Sequence, residues 1–283
     1  MNQPGKGPYD EEKVTKQLEV ADDYLTLQAE ARYLAQQLFD NASEKGMEFT
    51  NRLLDISARA RGKDFLIIHN PGGWGTTHLE HCLQWERSIV AGINATLERL
   101  GYTRLLIQHF RTESGWRECI QDIKEQFRFF ASKAQIVAAE LEFLAWHINN
   151  LKVILIGVSQ GAAFGNAVMQ HLSEHCQVYS IELGMLFTQR PRRVVTERTL
   201  AIDSNGLMPD AMMEWDIITM LKAFLAAPFR WLKYWLGGKP TKFSYCINVP
   251  GHEYNWEYPE VRQQVGDFLE ANFSTKSSER LGV

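Results

Sequence analysis

A serine between two glycines, in the pattern G-x-S-x-G, is the segment of this sequence whose residue types and spacing most directly allow chemistry. The pattern is Gly157 to Gly161, which reads GVSQG with Ser159 at its centre. An apolar run precedes it and an apolar-periodic segment follows, so the sequence predicts a buried strand, a tight turn and a helix. The glycines permit a turn in which side chains would collide, and the helix end offers N–H groups to a developing oxyanion. Ser159 is therefore the candidate nucleophile; a serine that only caps such a turn is the alternative.

His252 is the candidate base. It follows Pro250 and Gly251, directly after an apolar segment, 243–249, that predicts the last strand. Serine is a weak nucleophile near neutral pH, and an imidazole must take its proton and return it to the leaving group. The alternative interpretation is a loop histidine that is held only by packing.

These segments resemble the α/β-hydrolase superfamily. The letters GVSQGA are similar to those around the nucleophile of serine esterases, thioesterases and cutinase-like enzymes, and the Gly-His pair resembles the superfamily's histidine loop. The resemblance covers roughly residues 63–273. It implies an α/β-hydrolase fold, cleavage of a carboxylic ester or thioester through an acyl-enzyme on Ser159, and no cofactor.

A glycine-rich loop follows the first predicted strand, 64–69, where the superfamily builds half of its oxyanion hole. The loop reads NPGGWGTT and offers the backbone N–H groups of Gly73 and Trp74, with the N–H of Gln160 as the second donor. Glycines at this point let the backbone approach a substrate oxygen closely. His69, the last residue of the strand, is interpreted as a structural residue that binds the loop.

Three acids compete for the role of orienting His252. In the superfamily the acid follows the penultimate strand, in the order serine, acid, histidine. Asp203 ends the predicted strand 199–203 and is the first choice, with Asp210 and Glu182 as the alternative acids. The structural alternative for Asp203 is a residue that caps a turn.

The sequence departs from the superfamily at two points. Many relatives carry the acid four residues before a proline, and that position, counted back from Pro209, is Asn205. The first 60 residues or so show no strand alternation, whereas the full fold opens with two antiparallel strands. The first departure motivates an alternative function, a non-catalytic protein of the same fold that binds a ligand in the pocket or a partner through its N-terminal helices.

Around these residues the pattern predicts an α/β fold with a mostly parallel sheet of about six strands and helices on both faces. We expect a helical N-terminal extension over 1–62, the hydrolase domain over 63–273 and a disordered tail over 274–283. An apolar stripe predicts one long crossover helix from about Trp116 to Ile148.

Between Asp203 and Phe243 the chain is longer than one crossover helix requires, which predicts a helical insertion at about 210–240. Its segment 217–236 carries large apolar residues and three basic residues, and Pro228 should break or kink the helix. It is either a mobile lid that makes transient contact with a membrane or lipid, which favours an apolar acyl group, or an ordinary crossover helix that covers the sheet.

The composition limits the kinds of binding partner and the cellular compartment that we expect. The 283 residues carry a net charge of −4, which argues against nucleic acid as the main partner. Four scattered cysteines indicate neither a disulfide framework nor a zinc site, and His78 and His81 lack further ligands, so no metal is expected. Neither an apolar leader nor a membrane-spanning segment is visible, which predicts a cytoplasmic protein with a small-molecule substrate; the sequence leaves the oligomeric state open.

Overall fold

The computed structural model describes residues 11–39, 43–112, 124–238 and 246–274. At its centre lies a sheet of five parallel strands in the order β2-β1-β3-β4-β5. The strands are β1 (Phe65–Asn70), β2 (Arg104–Gln108), β3 (Lys152–Val158), β4 (Val178–Leu183) and β5 (Thr199–Ile202). The predicted α/β fold with a parallel sheet is thus confirmed, but with five strands rather than six. Of the sixth predicted strand, 243–245 lies outside the described residues and 246–249 is not extended into the sheet.

Helices pack on both faces of the sheet because its strands are apolar on both sides. Leu66 and Val153 face one core with α1, α2, α4 and α5, and their neighbours Ile67 and Ile154 face a second core with α3 and α7. The helices are α1 (Glu11–Leu38), α2 (Glu44–Ala60), α3 (Gln84–Arg99), α4 (Ala131–His147), α5 (Gln160–His171), α6 (Ile217–Leu236) and α7 (Pro259–Phe273).

The strand order places a crevice at the carboxyl ends of β1 and β3. From β1 the chain crosses to β2 on one side, and it returns to place β3 on the other side of β1. Loops that leave two such strands diverge, and doubly wound sheets bind their ligands at this point. The loop that begins at Pro71 follows β1, and Ser159 follows β3, so both predicted motif segments border the crevice.

The long helix predicted from Trp116 to Ile148 is broken. Its part before residue 124 lies outside the described residues, and α4 begins only at Ala131. Phe129 and Phe130 both have positive φ, 56° and 54°, which a continuing helix does not allow. Phe130 is fully buried, with its ring edge-on to Phe164, so burial of this ring outweighs the continuity of the helix.

The segment predicted as a helical insertion contains helix α6, which differs from the prediction at Pro228. Helix α6 runs through Pro228 without ending, because the proline ring and the carbonyl it leaves unbonded, that of Phe224, lie on the exposed part of the helix. It contributes no residue to the two cores beside the sheet, so it is not a helix that covers the sheet. None of the helices among the described residues is long and apolar enough to cross a membrane.

His109 follows β2 and makes the stability of the fold depend on pH. Its ring stacks on Phe164, with 5.1 Å between the centroids. Burial, together with the positive charges of Arg52, Arg111 and Lys133, lowers the pKa of His109 to about 3. The folded protein therefore holds this imidazole neutral across the range in which the unfolded chain protonates it.

We expect the free energy of unfolding to fall as the pH drops below 6.5, where the unfolded chain binds a proton that the folded chain does not. Between about pH 7.5 and 5.5 one such histidine removes about 1.4 kcal/mol. In urea unfolding, His109→Phe, which keeps a flat ring against Phe164, should lose this part of the pH dependence. The control His171→Asn, on the exposed end of α5, should keep it. Identical pH profiles for wild type and His109→Phe would contradict the prediction.

Candidate active site

Ser159 stands at the tip of the turn between β3 and α5, in a strained backbone conformation. Its φ of 54° and ψ of −112° lie outside the regions that residues with a side chain normally adopt. Strain of this kind costs of order 1–3 kcal/mol and persists where the surrounding structure enforces it. Here the Ser159 N–H donates to the Leu183 carbonyl at 2.8 Å, and the serine side chain makes no cap hydrogen bond to α5. The hydroxyl is therefore not used for capping.

The two glycines of the motif are required by close backbone contacts. A Cβ on Gly157 would lie 2.5 Å from the Gly161 carbonyl oxygen. A Cβ on Gly161 would lie 2.1 Å from the carbonyl oxygen of Asn70. The first contact lets the chain reverse around Ser159, and the second brings the first turn of α5 against the loop that follows β1.

The loop after β1 lies beside Ser159. A Cβ on Gly72 would lie 3.9 Å from that of Ser159, and the next residue, Gly73, has a φ of 57° and open space on its Cβ side. Of the predicted oxyanion donors, Gly73 therefore follows the residue that contacts the serine. Gln160 directly follows the serine in the first turn of α5, where backbone N–H groups lack a helical partner. The Trp74 side chain is exposed.

Arg111, which sequence reasoning missed, holds this loop. Its side chain is buried and donates to the Pro71 carbonyl at 2.7 Å and to the Gly73 carbonyl. The neighbouring Thr112 hydroxyl donates to the Trp74 carbonyl. An arginine after a strand usually indicates a surface position, and no local pattern reveals that this one binds carbonyl groups of a distant loop.

His252 is bound to Asp210. The distance between His252 Nδ1 and Asp210 Oδ2 is 2.7 Å, and the carboxylate side chain is fully buried. The Tyr254 hydroxyl donates to the same oxygen at 2.6 Å, and the Met212 N–H donates to the other oxygen at 2.8 Å. Burial alone would raise the pKa of Asp210, but the hydrogen bond and charge of His252, with these two donors, hold that pKa below its ordinary value. The carboxylate therefore stays ionised beside the imidazole.

The other two acid candidates have a different partner. Arg193 donates to both carboxylate oxygens of Asp203, at 2.7 and 2.9 Å, and to Glu182 at 2.7 Å. Burial raises the pKa of Glu182, although Arg193 and neighbouring donors oppose the shift. The expectation that Asp203 orients His252 is therefore corrected, because a buried arginine holds this carboxylate and Asp210 takes the position at the histidine.

A tight contact between two loops brings Asp210 to the histidine. A Cβ on Gly251 would lie 2.1 Å from the Pro209 carbonyl oxygen, and the Ala211 N–H donates to the Pro250 carbonyl at 3.1 Å. The side-chain amide of Asn205 donates to the Gly251 carbonyl at 3.2 Å. The residue at the superfamily's expected acid position is thus a structural link between the two loops.

The imidazole of His252 lies over the carboxyl end of β4, next to the strand that carries Ser159. A Cβ on Gly184, the residue after β4, would lie 2.9 Å from His252 Cε1 and 2.6 Å from the Tyr254 ring. Leu183, which accepts the Ser159 N–H, is the preceding residue. The serine, the histidine with its carboxylate and the glycine loop therefore meet at the carboxyl edge of β1, β3 and β4.

His69 is linked to the glycine loop through Glu86. It is fully buried, with Nε2 at 3.0 Å from Glu86 Oε1 and Nδ1 at 3.2 Å from the Gln108 side-chain nitrogen. Glu86 also accepts from the Gly72 N–H at 3.4 Å. Cys82 lies close enough that it could complete a metal-binding trio with His69 and Glu86. Both ring nitrogens already have hydrogen-bond partners, however, which is the pattern of a residue that binds the loop.

Comparison of the sequence with known proteins does not assign it to a family. No protein-family model matches the sequence, and no curated protein matches it either.

Proposed function

We propose that this protein is a serine hydrolase of the α/β-hydrolase kind that cleaves a carboxylic ester or thioester. The observation that carries the proposal is the hydrogen bond between His252 and the buried Asp210, at the same edge of the sheet as the strained Ser159. The strand order and the turn after β3 support the likeness to that superfamily.

In the proposed mechanism the Ser159 hydroxyl attacks the acyl carbonyl carbon, and its proton passes to Nε2 of His252. Asp210 holds Nδ1, fixes the tautomer that leaves Nε2 free to accept, and stabilises the imidazolium. The backbone N–H groups of Gly73 and Gln160 stabilise the oxyanion of the tetrahedral intermediate.

Collapse of that intermediate expels the alcohol or thiol, which takes the proton from His252, and leaves the acyl group on Ser159. Water then enters, gives a proton to His252 and attacks the acyl carbon. The carboxylic acid leaves and the Ser159 hydroxyl is restored. This sequence requires no cofactor.

A fluorophosphonate probe tests the proposal, because it reacts readily with an activated serine and very slowly with an ordinary one. The wild type should form a covalent adduct that peptide mass spectrometry locates on Ser159, and the protein should hydrolyse p-nitrophenyl esters. Ser159→Ala should abolish both, whereas the matched control Ser173→Ala, at an exposed position after α5, should change neither. Comparing chain lengths from acetate to decanoate tests the preference for an apolar acyl group.

A folded wild type that takes no label and cleaves no ester would overturn the proposal. The alternative function, a non-catalytic protein that binds a ligand at the same edge of the sheet, would then be favoured.

A further inference from the structure

Most of the large apolar side chains of helix α6 are exposed rather than packed against the protein. Only Ala223 and Ala227 of this helix are buried among the described residues. Its exposed large apolar residues are Ile217, Ile218, Leu221, Phe224, Leu225, Phe229, Trp231, Leu232, Tyr234, Trp235 and Leu236. Contiguous apolar surface of this kind on a folded protein marks a contact with another apolar phase or partner.

Four of these exposed residues define a face of α6 that points away from the body. Ile218, Leu221, Leu225 and Leu232 follow one another at spacings of three, four and seven residues, which places them on one side of the helix. Because successive residues are about 100° apart, this side lies opposite to the buried Ala223. The helix is therefore amphipathic, with its apolar face directed to the surroundings.

The inner side of α6 is fastened to the segments that carry the candidate active site. Ala223 packs with Ala211 and Val249, and Arg230 donates to the Cys246 carbonyl at 3.1 Å. Ala211 directly follows Asp210, and Val249 leads into the loop of His252. A surface bound by α6 would therefore lie close to the segments of Asp210 and His252.

The charge of this region identifies the surface that fits it. Helix α6 itself contains Lys222, Arg230 and Lys233 and no aspartate or glutamate, although the whole chain has a net charge of −4. Lys222 and Lys233 are both exposed and are three turns apart, so they border the apolar face on one flank. Tryptophan and tyrosine at the C-terminal end of α6 are residues that favour the level of lipid headgroups.

We infer that α6 lies in the plane of an anionic lipid bilayer, with its apolar face in the acyl boundary and its lysines at the headgroups. A helix that is amphipathic, basic and unable to cross a membrane binds in this manner. The consequence for substrate rests on the proposed function: a lipid acyl ester would reach Ser159 from that bilayer.

Flotation with lipid vesicles tests the inference. The wild type should float with phosphatidylcholine vesicles that contain about a third phosphatidylglycerol, less so with phosphatidylcholine alone, and added salt should weaken the difference. Replacing Lys222 and Lys233 by glutamine should reduce partitioning about fivefold for each lysine. Leu225→Glu with Leu232→Glu should reduce it more than tenfold on both kinds of vesicle.

Two controls separate this inference from the proposed function. Leu25→Glu with Tyr33→Glu replaces two exposed apolar residues on α1, both more exposed than Leu232, and should float like the wild type. Ser159→Ala should also float, and the α6 variants, whose side chains point away from the body, should still hydrolyse p-nitrophenyl acetate. Flotation without serine labelling would contradict only the proposed function, and labelling without flotation only the inference.

Self-association is the competing explanation of the apolar face. A wild type that stays unbound to vesicles and forms a dimer, which Leu225→Glu with Leu232→Glu dissociates in analytical ultracentrifugation, would overturn the inference. The face would then be an interface between two copies of the chain.

Discussion

Asp210→Asn should lower kcat/KM for a p-nitrophenyl ester by about 10⁴-fold, as expected when a hydrolytic triad loses its carboxylate. Asparagine keeps the size of the side chain but removes the negative charge beside His252 Nδ1. An amide in this position stabilises no imidazolium, and its nitrogen favours the imidazole tautomer whose proton is on the wrong nitrogen. The loss should appear in kcat rather than in KM, because the charge develops only in the transition state.

Asp203→Asn is the matched control, since this acid also follows β5 and also holds an ion pair. Its partner is Arg193 rather than His252, so we expect kcat/KM to change by less than about threefold. Fluorophosphonate labelling rates should give the same order, and urea unfolding shows whether each variant is folded. A large loss for Asp203→Asn with little change for Asp210→Asn would contradict the assignment of the acid.

The acid was the part of the site that the sequence could not assign, and the reason is physical. Asp203 directly follows a strand, whereas Asp210 stands seven residues later in a loop, and local spacing favours the first. The choice between them depends on Arg193, a buried cation from another loop that makes ion pairs with both Asp203 and Glu182. A buried arginine requires carboxylate partners, but the residues next to it in sequence do not indicate which carboxylates these are.

Local patterns did suffice for five of the six predicted strands and for the position of the two motifs at the ends of their strands. The apolar runs at β1 and β3 are buried on both faces and read directly from the sequence. The strained serine and the glycine loop depend on glycines within a few residues of each other in sequence, and they meet because both strands end at the same edge of the sheet. What local patterns missed depends on contacts across the fold, such as Arg111 with the Gly73 loop and Phe130 with Phe164.

Helix α6 is a second case in which local sequence patterns were not sufficient. The sequence predicts an amphipathic helix but leaves open which face meets the protein, because periodicity gives the width of an apolar stripe and not its direction. In the structure small residues, Ala223 and Ala227, face the body, and the large apolar residues face outward. An alanine seam lets the helix lie close to the loops that carry Asp210 and His252 while it leaves the larger side chains for another surface.

Gly161→Ala should both destabilise the protein and lower its activity, because its Cβ would meet backbone atoms on both sides of a peptide bond. The new atom would lie 2.1 Å from the Asn70 carbonyl oxygen and 2.9 Å from that of Pro71, and neither can turn aside like a side chain. We expect a loss of about 3 kcal/mol in the free energy of unfolding, as for a buried site that is overpacked. Displacing the loop also moves the Gly73 N–H, and loss of one oxyanion donor lowers kcat about 10²- to 10³-fold.

Gly165→Ala, one turn later in α5, is the control. It replaces a glycine of the same helix by alanine without the contact to the loop after β1. A Cβ at Gly165 would lie 3.5 Å from the Ser180 hydroxyl and 4.0 Å from Leu155 Cβ, which are ordinary packing distances. Alanine is the better helix former there, so this variant should be as stable as the wild type or about 0.5–1 kcal/mol more stable, with unchanged kcat. Urea unfolding and ester kinetics on both variants measure the difference. If Gly161→Ala matched Gly165→Ala in both, the loop after β1 would not press on the turn of Ser159, and the Gly73 N–H would no longer be a credible oxyanion donor.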